Sequence, residues 1–314
     1  MITRRTVERI ATAFALGTPL DWSGPASRGE QGDVHRLRTE RGEWAVKRSF
    51  APVEEADVTD STAFASTAAG VGVPTPAACR TADGAVLVAT DEGPLRVHAW
   101  VDLAEVDPWL DPAAVGQLVA ALHGCGFRGR SGVHPWYSEP VGEARWRQLA
   151  DALAAAAAPF AADLAALLPE ILALETLLEP PDTLLTCHRD LFADNLRRTT
   201  SGGLCVIDWD NAGDADPTHE LAMVLYDIGC GEPARTRRLY TAYRDAGGPA
   251  ELVRPGQFSM VIAALGHINE RACARWLAAP PGDPERDRMA GLFGEFLDRP
   301  VTVESIDRTL AALA

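Results

Sequence analysis

His188-Arg189-Asp190-Leu191-Phe192-Ala193-Asp194-Asn195 is followed, thirteen residues beyond Asn195, by Asp208 in the stretch Ile207-Asp208-Trp209-Asp210. The apolar run Leu204-Cys205-Val206-Ile207 just ahead of it reads as a short buried strand, so Asp208 falls at a strand end. Taken singly, each residue has an ordinary explanation: an Asp in a loop is commonly a turn or cap residue, and a lone His is commonly structural. Together, His, Asp, Leu and Asn at fixed spacing, backed by a strand-borne Asp, form a pattern that chance seldom supplies.

The residue types suit phosphoryl transfer. That chemistry needs Mg²⁺ to bridge phosphate oxygens and a group to orient the attacking hydroxyl. Mg²⁺ takes one or two carboxylates together with phosphates and water. Asp208 on a rigid strand end is therefore expected to bind metal, with Asn195 as a neutral second contact. Asp190 is left to accept the substrate proton. His188 is expected to orient the loop by hydrogen bonding, with Arg189 beside it. The spacing fits the H-R-D-L-x-x-x-N loop of kinases at every fixed position.

In these motifs the chain resembles the aminoglycoside phosphotransferase and choline kinase-like family, whose fold is protein-kinase-like. The family loop usually reads His-Gly-Asp, so Arg189 stands where Gly is common. Ile207-Asp208-Trp209 matches the family's metal motif and departs from the Asp-Phe-Gly of protein kinases. Asp214-Ala215-Asp216-Pro217-Thr218-His219-Glu220-Leu221-Ala222 resembles the family's Gly-Asp-Pro-x-x-Asp-Leu-Ala, with Glu220 where Asp is usual, and is expected to buttress the loop. The resemblance implies an α+β, two-lobed fold. A small antiparallel-sheet N-lobe with one main helix, over 1–102, would bind nucleotide. A larger, mostly helical C-lobe, over 103–314, would carry the loop and the acceptor site.

The pattern upstream agrees. Short apolar runs around 33–38, 43–48, 77–81, 85–90 and 95–101 read as strands, interrupted by one helix at about 54–69. Ser27-Arg28-Gly29-Glu30-Gln31-Gly32 resembles a phosphate-covering turn, where Gly29 and Gly32 let backbone N–H groups approach an anion. Trp44-Ala45-Val46-Lys47 resembles the Val-Ala-Ile-Lys strand, whose Lys reaches the phosphates and pairs with a helix acid. Glu55 is the chosen partner, with Glu54, Asp57 and Asp60 as rivals. His98 and Trp100 lie in the strand expected to lead into a purine-binding hinge, which leaves ATP and GTP both open. Downstream, helices are expected over 111–123, 143–157, 160–178, 217–228, 233–246, 255–278, 284–297 and 302–313.

Composition narrows the partners. Acidic residues outnumber basic ones by 44 to 29, for a formal charge of −15, the wrong balance for a nucleic-acid binder. No uncharged stretch is long enough for a signal peptide or a membrane span. Six cysteines without a C-x-x-C pair fit reduced thiols in the cytoplasm. The Walker and dinucleotide fingerprints are absent. The expected activity is transfer of the γ-phosphoryl group of ATP, with Mg²⁺, to a hydroxyl of a small polar acceptor by a monomer or homodimer. By resemblance the acceptor is an aminoglycoside, another antibiotic, an amino alcohol or a sugar. Asp194, Asp210, Asp214, Glu270 and the segment His134-Pro135-Trp136-Tyr137 are the candidates to line its pocket, and the carboxylates would suit a cationic one. Two rivals stand beside this reading: a catalytically silent nucleotide binder of the same fold, and a metal-dependent hydrolase built on His188, Asp190, Asp208 and His219.

Overall fold

The computed structural model describes residues 2–29 and 31–314. Met1 and Glu30 lie outside the described residues, Glu30 within the expected phosphate-covering turn. The chain forms two compact units. The first comprises Met1–Asp107, Cys125–Ser131 and Asp190–Gly213, the second Pro108–Gly124, Gly132–Arg189 and Asp214–Ala314. In chain order the elements are α1 (Arg4–Ala13), β1 (Pro19–Arg28), β2 (Gly32–Thr39), β3 (Gly42–Ser49), α2 (Glu55–Gly70), β4 (Val88–Thr90) and β5 (Gly93–Ala99). They continue with α3 (Pro112–His123), α4 (Glu143–Ala155), α5 (Ala161–Glu175), β6 (Leu185–Cys187), β7 (Leu196–Arg198) and β8 (Leu204–Val206). The rest are β9 (Gly213–Ala215), α6 (Pro217–Gly229), α7 (Pro233–Asp245), α8 (Ser259–Ala278), α9 (Pro284–Asp298) and α10 (Val303–Leu313).

The first unit is built on a five-stranded sheet in the order β1-β2-β3-β5-β4, with every neighbouring pair antiparallel. Period-two alternation gives the sheet two faces. Leu37, Val46, Leu95 and Val97 pack with Val7, Ile10 and Ala11 of α1, and each large side chain removed from water there contributes ~1.5–3 kcal/mol. Lys47, paired across the ladder with Arg96, and His98 lie on the opposite face by the same alternation. The small hairpin β7–β8 also belongs to this unit.

Two strand expectations need correction. A full strand, β1, at Pro19–Arg28 precedes the first expected run at 33–38. Its Pro19, Gly24 and Pro25 argue against a strand in sequence. However, β1 is an edge strand whose register with β2 shifts between Ser23 and Ser27, and edges and bulges are where proline is tolerated. The run at 77–81 makes no strand and contributes only an isolated bridge from Ala78 to His98.

The second unit is mostly helical, and the helices fall where the apolar periodicity puts them. Asp111 caps α3 by accepting from the N–H of Ala113, with Pro112 opening the helix. Asp216 caps α6 in the same way through Thr218, ahead of Pro217. The segment expected to start a helix at 255 first makes a 3₁₀ turn, Pro255–Phe258, before α8 begins. One core of this unit gathers Trp146, Leu149 and Leu153 of α4 around Trp276 of α8 and Phe293 of α9. Among the described residues no helix is long and apolar enough to cross a membrane.

Candidate active site

The first unit brings Lys47, Asp190, Asn195 and Asp208 together through local devices that can be traced. Ile207 donates its N–H to the Asn195 carbonyl at 3.0 Å, and Val206 donates to Pro74 at 2.8 Å. The Val-Pro turn after α2 thus supports the strand that carries Asp208. Trp209 then fixes the following 3₁₀ turn. Its Nε1 donates to Thr75 Oγ1 at 2.8 Å, and its ring stands edge-on to Phe64 of α2 at 5.2 Å. Between these anchors Asp208 adopts a left-handed backbone, φ 58°, a conformation costly for a side-chain-bearing residue and common at functional positions.

Asn195 spends its amide nitrogen on Asp190, donating to the carbonyl at 2.9 Å and to Oδ2 at 3.0 Å. Asn211 donates to the same Oδ2 at 3.0 Å. Burial raises the Asp190 carboxyl and the charge of Asp194 adds to it; the two amides only partly oppose them, and the group is pushed up to about 7. That is the range in which a carboxylate accepts a proton efficiently at neutral pH. Asp194 is raised as well, chiefly by burial.

Lys47 corrects one expectation. Its Nζ lies 2.5 Å from Asp208 Oδ1 and 2.8 Å from Asp210 Oδ2, and it makes no pair with Glu55. Glu55 is exposed in the first turn of α2, while Asp60 is bound to Arg130 at 3.0 Å. The Asp210 carboxyl is held by Arg96 as well as Lys47. Burial would raise it, but the two cations outweigh burial and bring it down to about 2. Asp210, expected on the acceptor side, is instead committed to Lys47 and Arg96. Glu270 is also committed, to Arg145 at 2.5 Å. His98 is lowered to about 4 by burial and by the charges of Arg96 and Lys47, so its imidazole stays neutral.

At the strand end the backbone N–H of Ala99 donates to Ala77 at 2.8 Å and that of Trp100 to Glu43 at 3.0 Å. Neither is left for a purine. The next N–H groups, of Val101 and Asp102, find no acceptor among the described residues. Gly29 donates to the Gly32 carbonyl at 2.9 Å. A Cβ on Gly32 would fall 2.2 Å from the carbonyl oxygen of Arg48, so this glycine is required by the neighbouring strand.

The second unit holds the other half of the motif. His188 is fully buried and Arg189 nearly so. Arg189 is left-handed, φ 66°, which accounts physically for the glycine common at this position in the family. Its guanidinium lies 4.9 Å over the Tyr137 ring. Its backbone N–H donates to Oε1 of the fully buried Glu220. Oε2 of Glu220 bonds His123 Nε2 at 2.9 Å, and His123 Nδ1 bonds the Tyr243 hydroxyl at 2.9 Å. Burial would raise Glu220, but the bond from His123 and the charges around it hold it below its ordinary value. Neither His123 nor Tyr243 stands out in sequence, since each is a single polar residue on a helix, and Arg96 and Asn211 were likewise not among the expected site residues. His123, Cys187 and Glu220 are the one His/Cys/Asp/Glu group among the described residues close enough to share an ion. Both nitrogens of His123 are already hydrogen-bonded. This group contains none of His188, Asp190, Asp208 or His219.

The model of the phosphotransferase enzyme family matches residues 24–255, and the chain belongs to that family. The expectation of an enzyme of the phosphotransferase class is thereby met. A spectinomycin phosphotransferase, solved with ADP and spectinomycin, is 12% identical over 99% of this chain and 98% of that one, with a TM-score of 0.71. An aminoglycoside phosphotransferase from Alicyclobacillus acidocaldarius is 17% identical over 95% and 93%, TM-score 0.63. A choline kinase from Streptococcus pneumoniae is 14% identical over 93% and 98%, TM-score 0.53. These likenesses show the fold, which is the expected α+β, protein-kinase-like one. No curated protein sequence matches significantly.

Proposed function

We propose that this protein is a small-molecule kinase that transfers the γ-phosphoryl group of ATP to a hydroxyl of a small polar acceptor, with Asp190 as the general base. The observation that carries the reading is the Asp190 carboxyl, raised to about 7 and gripped by Asn195 and Asn211 within the same unit as Lys47 and Asp208. An acceptor hydroxyl brought to Asp190 would meet a carboxylate able to take its proton as the new P–O bond forms.

The residues fit Mg-ATP by donor chemistry. Asn195 uses its amide nitrogen on Asp190, which leaves its oxygen as a hard neutral ligand. Asp208 offers a half-exposed carboxylate that already attracts a cation, Lys47. Hard oxygen donors of this kind, one of them charged, are what Mg²⁺ takes beside phosphate oxygens. When bound, Mg²⁺ would neutralise charge on the transferring group. Lys47 would orient the phosphates, and Asp210 with Arg96 would hold Lys47 in place. Val101 and Asp102 supply the N–H groups suited to a purine edge. That a structural neighbour was solved with ADP and spectinomycin supports the nucleotide and a small acceptor as the class. Aminoglycosides, other antibiotics, amino alcohols and sugars are the acceptors to try.

The test is ADP release from Mg-ATP across a panel of these acceptors, with Asp190→Ala in parallel. Acceptor-dependent release that Asp190→Ala abolishes supports the reading. Nucleotide binding without release on any acceptor favours the silent binder, and failure to bind nucleotide rejects both.

A further inference from the structure

Gln31 stands in the turn between β1 and β2, the turn expected to cover phosphate, and its side chain crosses to the segment that follows Asp208. Its backbone carbonyl accepts from Phe50 N at 2.9 Å, which pins the residue beside the end of β3. Its Nε2 donates to Asn211 Oδ1 at 3.3 Å, across 180 positions of chain. Asn211 is pinned as well. It closes the 3₁₀ turn Trp209–Asn211, whose Trp209 is anchored by Thr75 and Phe64. Its Nδ2 donates to Asp190 Oδ2 at 3.0 Å. Gln31, Asn211 and Asp190 all belong to the first unit, and they form one chain of hydrogen bonds.

The polarity of that chain is set from one end. As a base, Asp190 has only acceptors to offer, so Asn211 must turn its amide nitrogen to it. The amide oxygen is thereby left to Gln31, which must answer with a donor. A carboxylate at position 31 would set acceptor against acceptor, and a hydrocarbon would not hold the Asn211 amide in this sense. At Asp190 the effect is geometric. Asn195 and Asn211 both donate to Oδ2, while Oδ1 makes no hydrogen bond among the described residues. Two donors on one oxygen fix the plane of the carboxylate and keep the other oxygen for an incoming hydroxyl, and such orientation is worth rate. We propose that Gln31 is a positioning residue: through Asn211 it holds Asp190 Oδ2, so that Oδ1 is presented to the acceptor and one relay sets both the turn over the phosphates and the base. This role rests on the kinase reading above, but the relay itself can be read without turnover.

Asn195, Asn211 and Asn269 are the only asparagines in the chain, so protein labelled with ¹⁵N at asparagine gives three side-chain amide pairs, and Asn211→Ala identifies one of them. Gln31→Met keeps the length and removes the donor. It should move the Asn211 pair and leave those of Asn195 and Asn269 in place. With any acceptor that is turned over, Gln31→Met should lower kcat by about two- to tenfold, the range of one neutral hydrogen bond, with KM for ATP changed by less than about twofold. Gln31→Glu should lower kcat further, because it draws the Asn211 N–H groups away from Asp190. Added to Asn211→Ala, Gln31→Met should cost nothing more, as residues acting through one contact do. An unmoved Asn211 pair, or equal movement of all three, overturns the relay. A raised KM for ATP at unchanged kcat, or a full further loss on top of Asn211→Ala, overturns the positioning role and leaves Gln31 as part of a phosphate cover. Absence of turnover in the unaltered chain counts against the kinase reading instead, and the amide spectrum then decides the relay alone.

Discussion

Lys47 Nζ is ion-paired with Asp208 Oδ1 at 2.5 Å, joining the third strand of the sheet to a residue 161 positions downstream. On the proposed reading, the pair sets the cation that would meet phosphate beside the carboxylate that would meet metal. Lys47→Met should leave the fold intact, because Arg96 still covers Asp210. It should raise KM for ATP by about tenfold or more and lower kcat, as loss of a charged phosphate contact does. Lys47→Arg should not restore either, since a planar guanidinium cannot replace a compact ammonium at this spot. Steady-state kinetics with varied ATP read both.

The acid limb of kcat/KM should fall at about 7, where the Asp190 carboxyl titrates. Activity rises with pH through that value because the base works when deprotonated. Asp194→Asn removes a charge that keeps the proton on Asp190, so the limb should move to lower pH. Asn211→Leu removes a donor that favours the carboxylate, so it should move to higher pH. The same raised value means that the folded protein binds more protons than the unfolded chain between the ordinary value of 3.8 and about 7. Stability therefore falls as pH rises across that window. Asp190→Asn should abolish activity and remove this fall, as thermal melts at pH 4.5 and 7.5 will show.

His123→Ala should be among the most damaging substitutions in the second unit. It leaves Glu220, fully buried, without the hydrogen bond from His123, a loss of about 1–3 kcal/mol for a buried group left unsatisfied. Urea midpoints at pH 7 measure it. Glu220 is held below its ordinary value in the folded state. Its contribution is thus present above the unfolded value and lost as pH falls through the folded one. Glu220→Gln should flatten that acid loss.

Arg189 is left-handed and carries a side chain over Tyr137. Arg189→Ala keeps the backbone penalty of about 1–2 kcal/mol and loses a cation–π contact worth about 0.5–2 kcal/mol. Arg189→Gly loses the contact but relieves the backbone. Glycine should therefore melt above alanine, the reverse of the order at an ordinary helix or strand position.

The helices and the catalytic loop were legible because their signals are local. Asp111-Pro112 and Asp216-Pro217 announce helix starts, and the His188-to-Asn195 spacing is read along a single loop. The partners of Lys47 were not legible. Arg96 faces it through β3–β5 register and Asp210 reaches it from a turn over a hundred residues away, and neither relation leaves a mark near residue 47. Acids on the α2 helix were nearer in sequence, yet Glu55 points to solvent and Asp60 is taken by Arg130. β1 was missed because Pro19, Gly24 and Pro25 signal a loop, and only its edge position makes them harmless. His123 and Tyr243 escaped because their roles come from α3 packing beside α7, a relation that helical periodicity does not encode.

Gly32 carries a consequence for anyone sorting relatives of this chain into active and inactive members. The Arg48 carbonyl leaves no space for a side chain there. Any descendant that keeps the strand spacing must keep the glycine, even after it has lost every use for a nucleotide. Its persistence would thus be evidence of inherited architecture alone. On the proposed reading, a pseudoenzyme in this lineage would be diagnosed at Lys47 and Asp190, where no backbone atom closes off the side-chain position.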